Sequence, residues 1–594
     1  MRRPLASVLI LPVCALLWQS FFWIPDASLP VKAGYAGLTL LAAARPRDAL
    51  LIVTALATLA TPLSWLIGTP AKTGEAMVLA FLTGWIARAA VRREPLLPAD
   101  DSLRRPLVLF AVTVGASLAV VMTMIQAAVG PALPFVERAS SLLARTYLHG
   151  SAFEIRNWYE AALLGEGGLL AAAVIQLTHR REDLQSAMAR MFAAGIAGAA
   201  LLPCARVATA LLRSPDPAEM LVRFITSIRL TSHVTDLNAA GSHLALALPV
   251  IWSLGVVAGR AGRGRARSAG WFLAAIPVLA ALWLTGSRAA QFGLLIAAAA
   301  AAALRIGRRR RLTLALIALG LAVLVSGVVA ARPGPRASLP TTLLVRKYFT
   351  QMSWEMFRSA PVFGVGVGEY YRLSERMMPV PLRRMYTAEH AHNNFFQVGT
   401  ELGTVGLALF LWLLAAAGRR IARGFGTSPP DPLLLGLATG LAAAVLTFLT
   451  GHPLVVGAFA CSFWMALALA VSRADWLAGP AAERAPGTAV SAAVSPWLSP
   501  GRLTAAAIAL MVLLVPVRAH LARARVGRPA QAPHGDTPGP VARSLATMPG
   551  ASRRPAPPRA ALPCRAGGPP AAGRMANRSP SAPWATTAPD ARSG

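Results

Sequence analysis

The feature that most constrains this chain is a series of apolar runs, most of them long enough to cross the roughly 30 Å hydrocarbon layer of a membrane. Two of the runs, 31–44 and 503–518, are short, so the pattern predicts an all-α, polytopic membrane protein with about 12–15 transmembrane helices. A chain that is 55% hydrophobic and only 14% charged is not a soluble globular protein. The runs lie at about 5–24, 31–44, 49–68, 74–91, 106–130, 160–178, 188–212, 241–258, 270–286, 289–304, 312–330, 399–417, 433–450, 454–472 and 503–518.

The basic residues predict the orientation of these helices. The formal net charge is +33, and the positive charges lie in short clusters between the apolar runs rather than on a soluble face with interleaved aromatics, so no nucleic-acid partner is expected. An even number of runs separates each cluster from the next, and all of them therefore share one face. The positive-inside rule makes that face cytoplasmic, with the N-terminus inside. The clusters are at Arg2-Arg3, Arg45-Pro46-Arg47, Arg92-Arg93, Arg180-Arg181, 259–267, 305–311 and Arg419-Arg420.

Changes in composition predict four parts of the chain. These are N-terminal transmembrane helices at 1–212, a core at 213–420, C-terminal transmembrane helices at 421–518 and a tail at 519–594. The tail is rich in Pro, Ala, Gly and Arg without periodicity, which predicts disorder. The topology places this basic tail outside, against the positive-inside rule. Either the last apolar run does not span the membrane, or the tail comes from a shifted reading frame.

A long outer loop at 331–398 carries an amphipathic pattern. The segment RKYFTQMSWEMFRSAP predicts a helix along the membrane surface that Pro361 ends. Gly364, Gly366 and Gly368 follow at every second position, which is not a dinucleotide-binding spacing. This spacing indicates a flexible loop whose backbone can approach a ligand or the bilayer. The apolar face of the helix consists of Val345, Phe349, Met352 and Met356, and the polar face of Lys347, Gln351, Glu355 and Arg358.

The stretch AEHAHNNFFQ at 388–397 places histidines directly before an apolar run. His392 would lie at the membrane interface, where an imidazole can accept or donate a proton near neutral pH. The alternative is that His390 and His392 merely precede a span and bond to water. Glu401 lies within the apolar run, and an intramembrane carboxylate usually faces a cavity or a partner. A metal site that includes Glu389 is not favoured, because the histidines lack the i, i+4 helical spacing.

At these residues the sequence resembles the O-antigen ligase family of membrane glycosyltransferases. The resemblance rests on His392-Asn393 followed by Gly403-x-x-Gly406. Three further pieces occur in the family's order and extend the resemblance over roughly residues 220–420. They are an arginine, Arg229, followed by LNAAGSHLALALP; the segment TGSRAAQ, which contains Arg288; and the amphipathic helix that leads to the glycines.

The resemblance implies a GT-C-like fold and a site on the periplasmic face of the bacterial inner membrane. It implies a donor glycan on undecaprenyl pyrophosphate and a glycan or glycolipid acceptor, without a metal or another cofactor. His392 would be the general base, and Arg288 and Arg229 would stabilise charge on the pyrophosphate. Substrate-binding roles would fall to His390, Asn393, Glu401, Gly403, Gly406 and Asn238.

Several alternatives stay open from the sequence. The family contains ligases of lipopolysaccharide assembly, polysaccharide polymerases and protein oligosaccharyltransferases, and no motif distinguishes the acceptor. Arg288 and Arg229 would otherwise be interfacial arginines that snorkel toward water. From another class, a transporter of lipid-linked glycans predicts charges at mid-membrane and internal repeats. The candidate residues cluster at one interface instead, which favours a glycosyltransferase.

Overall fold

A computed structural model describes residues 29–67, 73–98, 100–129, 156–231, 234, 236–260, 265–304, 339–383, 385–426 and 430–479. This part of the chain is helical and contains no strand, as the sequence predicts. The apolar runs at 5–24, 312–330 and 503–518 and the tail at 519–594 lie outside the described residues.

Besides loops and two short 3-10 helices, the described residues contain sixteen α-helices. They are α1 (Leu29–Ala44), α2 (Pro46–Ile67), α3 (Thr73–Arg92), α4 (Asp101–Val129), α5 (Arg156–Thr178), α6 (Glu182–Arg213), α7 (Pro217–Thr226), α8 (Leu237–Arg260), α9 (Arg265–Thr285), α10 (Arg288–Leu304), α11 (Leu339–Ser359), α12 (Glu369–Met377), α13 (Val380–Arg383), α14 (Asn394–Arg423), α15 (Pro432–Phe448) and α16 (Gly457–Ala478).

Eight of the described helices are long and apolar enough to cross a membrane, namely α3, α4, α5, α6, α8, α9, α14 and α16. Three shorter apolar helices, α1, α10 and α15, coincide with apolar runs of the sequence. Helix α16 is central, since it packs against α5, α14 and α15 and most of its residues are buried. The division at residues 212 and 420 stays a prediction, and helices from all three parts pack on one another.

The basic clusters that the structure describes collect at one end of the helices. Arg88 near the end of α3 donates to the carbonyl of Ala44, where α1 ends. Arg473 near the end of α16 binds both Glu182 at the start of α6 and Asp431, which caps α15. Arginines at this end therefore connect helix termini, Arg88 through a hydrogen bond and Arg473 through ion pairs.

The amphipathic helix of the outer loop is present as α11. Phe349, Met352 and Met356 are almost fully buried in a small cluster of their own, and Val345 packs against it. The four polar positions of the sequence pattern, Lys347, Gln351, Glu355 and Arg358, are exposed. The 3.6-residue period thus identified both faces correctly. The cluster also includes Tyr370 of α12 and Ala391 of the segment before α14.

A short helix, α7, lies between the apolar runs at 188–212 and 241–258, where the hydropathy pattern predicts no span. Its start carries the usual signals, because the Asp216 side chain accepts the amide of Glu219 and Pro217 takes the first helical position. With ten residues it is too short to produce a transmembrane signal, which explains why the hydropathy pattern did not reveal it.

Helix α14 is interrupted at Gly403, where the backbone has φ 67° and ψ −169°. The loop after α11 fills the break. Two loop amides donate to helix carbonyls, Val365 to Thr400 at 2.9 Å and Gly366 to Glu401 at 3.0 Å. Two amides beyond the break donate to loop carbonyls, Thr404 to Pro361 at 2.8 Å and Val405 to Val362 at 3.2 Å. The loop therefore satisfies backbone groups that the helix leaves free.

Glycine is required on both sides of this junction. Gly403 and Gly364 both have positive φ, at 67° and 74°. A Cβ on Gly403 would lie 2.2 Å from the carbonyl oxygen of Val362, and one on Gly364 would lie 2.3 Å from the backbone of Glu401. The glycine spacing predicted close approach of the loop to a ligand or the bilayer, whereas the approach that the structure shows is to the helix backbone.

We expect Gly403→Ala and Gly364→Ala each to destabilise the protein by about 2–3 kcal/mol or more, because each forces a side chain into backbone at positive φ. The measurement is thermal unfolding in detergent. Gly418→Ala is the matched control, since Gly418 lies in the same helix with open space around it. If Gly403→Ala and Gly418→Ala have the same melting temperature, the junction does not stabilise the fold.

Candidate functional site

Three histidine rings meet at the end of the bundle opposite the described basic clusters. His390 and His392 precede α14, and His452 lies in the loop between α15 and α16. The ring of His452 is centred 4.8 Å from the ring of His390 and 4.8 Å from that of His392. We call these three residues the histidine cluster.

His392 is held in an unusual backbone conformation with its ring enclosed. Its φ is 51°, in the left-handed region that few non-glycine residues adopt. The ring lies 4.6 Å from the ring of Phe349 in α11. Both ring nitrogens are buried and have no hydrogen-bond partner among the described residues. No described residue therefore competes with a ligand for these two nitrogens.

Burial lowers the pKa of His392 well below its usual value, and the nearby His452 and Arg346 lower it further. Desolvation and a neighbouring positive charge both disfavour the imidazolium. The ring is consequently neutral at pH 7 and carries one nitrogen with a free lone pair. A neutral imidazole is the form that accepts a proton from a hydroxyl.

Arg346 of α11 fixes the backbone around the histidine cluster. Its guanidinium donates to the carbonyl of His392 at 2.8 Å and to the carbonyl of Thr450. It thereby ties the amphipathic helix to both histidine-bearing segments. Burial lowers the pKa of Arg346, although Tyr386 and Asp236 act in the opposite direction. The arginine also adds positive charge beside His392.

Asn393, predicted to bind substrate, forms the N-cap of α14. Its side-chain oxygen accepts from the amides of Phe395 and Phe396 at 2.9 and 3.1 Å. Its amide nitrogen donates to the carbonyl of Leu449 at 3.0 Å. These contacts explain why a residue with strong capping propensity stands between His392 and the helix. A role in substrate binding stays a prediction.

His390 borders a buried carboxylate pair. Its Nδ1 lies 3.9 Å from Glu160 Oε1, and Glu160 is hydrogen-bonded to Glu401 of α14. Gln397 donates to Glu401 at 2.7 Å and accepts the amide of Ala391 at 3.0 Å. His390, Glu160 and Glu401 are each less than 5% exposed. Glu401 thus faces polar partners, Gln397 and Glu160, as expected of a carboxylate within an apolar run.

Arg229 and Arg288 meet at a separate turn. Arg229 donates to the carbonyls of Thr285 and Gly286, at 3.1 and 2.9 Å, where α9 ends. Arg288 is the first residue of α10 and is half-buried. The two arginines that the sequence singled out 59 positions apart are thus brought to one turn.

Packing joins this turn to the histidine cluster. In α8, Gly241 permits close contact with Ser287, since a Cβ there would lie 2.6 Å from the Ser287 Cβ. The next residue, Ser242, bonds to Thr447 near the end of α15 at 2.9 Å. Beyond that end come Leu449 and Thr450, which bind Asn393 and Arg346. Both candidate groups therefore lie at the same end of the helices.

The remaining predicted residues have structural contacts. Asn238 lies in the first turn of α8, and its carbonyl accepts from Ser242. Gly403 forms the helix break described above, and Gly406 lies one turn on, against Leu402. Substrate binding by these three residues stays a prediction.

Sequence reasoning missed His452, Arg346 and Glu160. His452 lies in the short GHP segment between two apolar runs, on the same predicted outer face as His392. That shared face was the available signal. Arg346 was part of the amphipathic pattern without a separate role, and Glu160 stood at the start of an apolar run. The described residues contain no group of three His, Cys, Asp or Glu side chains arranged to hold a metal ion.

Comparison with known families gives one match. Residues 272–411 match the model of the family described as O-Antigen ligase. The matched segment runs from α9 into α14 and includes Arg288, Arg346, His390, His392 and Glu401. No curated protein matches the chain. The family resemblance seen in the sequence is confirmed over this segment.

We expect Arg346→Gln to loosen α11 from the histidine-bearing segments, because the neutral amide is too short to reach both carbonyls. Hydrogen–deuterium exchange should rise in peptides covering 344–359 and 388–393. Lys347→Gln, at an exposed position of the same helix, is the control and should leave exchange unchanged. Equal exchange in the two variants would show that Arg346 does not hold these segments together.

Proposed function

With an O-Antigen ligase segment at residues 272–411 as the premise, we propose that this protein is a membrane glycosyltransferase. It transfers a glycan from undecaprenyl pyrophosphate to an acceptor hydroxyl at the periplasmic face of the bacterial inner membrane. The family match supports an O-antigen ligase or polymerase type of function, and the many apolar helices support a multi-pass membrane protein.

One observation carries the proposal, namely the enclosed imidazole of His392, whose two ring nitrogens are buried without a partner among the described residues. Burial lowers the pKa of this imidazole, which favours its neutral form. Transfer to a hydroxyl requires a base that takes the proton as the oxygen bonds to the anomeric carbon. A histidine that is already charged at neutral pH cannot do this. His392 lies at a helix end inside the matched segment and next to the amphipathic helix α11, a position suited to a lipid-borne donor.

The proposed reaction is a single displacement. The acceptor hydroxyl gives its proton to His392 while its oxygen attacks the anomeric carbon. The bond from that carbon to the phosphate oxygen breaks, and the electron pair leaves with undecaprenyl pyrophosphate. One displacement inverts the anomeric configuration, and no step requires a metal ion.

Negative charge that develops on the pyrophosphate needs fixed positive partners. Arg288 and Arg229 supply two guanidinium groups at one turn. A single guanidinium can bind two oxygens of a phosphate at once. Arg229 already uses part of its guanidinium to bind the end of α9, which holds it in place. Arg346 adds a third positive charge on the side of His392.

The first test is glycan transfer in proteoliposomes that contain the undecaprenyl-pyrophosphate-linked donor, a candidate acceptor and EDTA. We expect the unmodified protein to transfer glycan and His392→Ala and Arg288→Ala each to lose about 10²-fold or more in rate. Product stereochemistry should be inverted.

Matched controls separate loss of chemistry from loss of fold. His179→Ala and Arg267→Ala remove an exposed histidine and an exposed arginine at the other end of the helices, and both should transfer normally. If EDTA stops transfer, the metal-free displacement is wrong. If His392→Ala and Arg288→Ala transfer at the normal rate, these residues do not carry the reaction.

The lowered pKa of His392 predicts the pH dependence of transfer. The base is competent while neutral, which holds at every pH above its pKa in the folded protein. Because that pKa lies well below 6.5, the rate should stay level from about pH 8 to pH 6.5 and fall only in more acidic solution. A fall centred near pH 6.5 would mean that His392 titrates as an exposed histidine.

A further inference from the structure

We propose that His452 and His390 form a proton relay that carries the proton from His392 to the buried carboxylate pair, Glu160 and Glu401. The inference rests on the proposed function and extends it, since it assigns a role to two residues outside the matched segment, His452 and Glu160. These relay residues act through His392 and do not touch the reacting atoms.

Geometry supplies the first part of the relay. The ring of His452 stands between those of His392 and His390, at 4.8 Å from each centre. Imidazole is suited to this position because one nitrogen can receive a proton while the other releases one. The three rings come from two separate segments, and Arg346 holds the backbone of both.

The relay ends at a proton acceptor. His390 Nδ1 faces Glu160 Oε1 at 3.9 Å, and Glu160 is hydrogen-bonded to Glu401. Ionised carboxylates only accept hydrogen bonds, so a bond between two of them requires one shared proton. In the proposed relay the pair starts with one shared proton and one negative charge, and it takes up a second proton.

Enclosure of His392 gives such an outlet a use while the products are still bound. Its ring nitrogens are buried, and bulk water does not reach them directly. After one transfer the imidazole carries the acceptor's proton, and it must become neutral before the next. A positive ring also lies beside the guanidinium of Arg346, which favours departure of the proton toward the negative carboxylate pair.

The sequence of steps balances. The acceptor proton moves to His392 as the glycosidic bond forms and the bond to pyrophosphate breaks. His392 passes a proton to His452, His452 passes one to His390, and His390 passes one to the carboxylate pair. The pair then holds two protons and no charge, and it loses one to the water that enters when the products leave the site. Each imidazole ends neutral.

A burst experiment tests the relay separately from transfer itself. The relay acts after the first turnover, so His452→Ala and Glu160→Gln should give a first turnover at nearly the normal rate and a steady-state rate about 10²-fold lower. Added imidazole should fill the space left in His452→Ala and raise its steady-state rate about tenfold or more. His452→Phe keeps the bulk of the ring and should gain nothing from imidazole.

His392→Ala should lose both phases, and His179→Ala should keep both. A merely structural role for His452 would slow the first turnover as much as the steady state, and imidazole would not restore it; that result overturns the relay. A normal steady state in both His452→Ala and Glu160→Gln also overturns it, while normal transfer by the unmodified protein keeps the proposed function. Absence of transfer by the unmodified protein removes the proposed function and the relay together.

Discussion

The exchange of backbone hydrogen bonds at Gly403 is the interaction on which the arrangement of the site depends. An interrupted helix inside a membrane protein leaves polar groups that lipid cannot satisfy, and here the loop at 361–366 bonds to them. The same loop connects α11 to α12, and these two helices supply Phe349 and Tyr371, which contact the rings of His392 and His390. The break in α14 thus holds the loop between α11 and α12, and with it the two helices that contact the histidine cluster.

Charge is handled differently at the two ends of the bundle. At one end, buried Arg420 forms an ion pair with Asp475, and buried Arg473 forms one with Asp431. Each charge has an opposite partner there, so these pairs hold the structure together. At the other end, Arg346 donates to two neutral carbonyls beside the neutral imidazole of His392, and the nearby Tyr386 and Asp236 oppose the lowering of its pKa by burial. The two ends therefore differ in kind, because paired charges hold the helices at one end and an arginine bound to carbonyls holds the loops at the other.

The extent to which the sequence predicts this protein follows from the range of each signal. Apolar length and the period of Phe349, Met352 and Met356 are local properties, and the helices they predicted are present where the structure describes the chain. His392 could be found because a histidine before an apolar run is also a local pattern. His452 comes from the loop between α15 and α16 and Glu160 comes from α5, and both reach the site only through packing, so no spacing reveals them. The break at Gly403 depends on a loop some forty positions earlier, and a local pattern of two glycines does not show it.

Exclusion of water explains why the ring of His392 is enclosed. A base that activates a sugar hydroxyl activates water equally well, and an open site would hydrolyse the lipid-linked donor. The ring of His392 lies against Phe349, and its nitrogens are closed to bulk solvent, so only a ligand that displaces a packed neighbour reaches them. The same closure denies the proton a direct path to water. Enclosure of the base therefore accounts for selection of transfer over hydrolysis, and the proposed relay gives the proton an acceptor within the same enclosure.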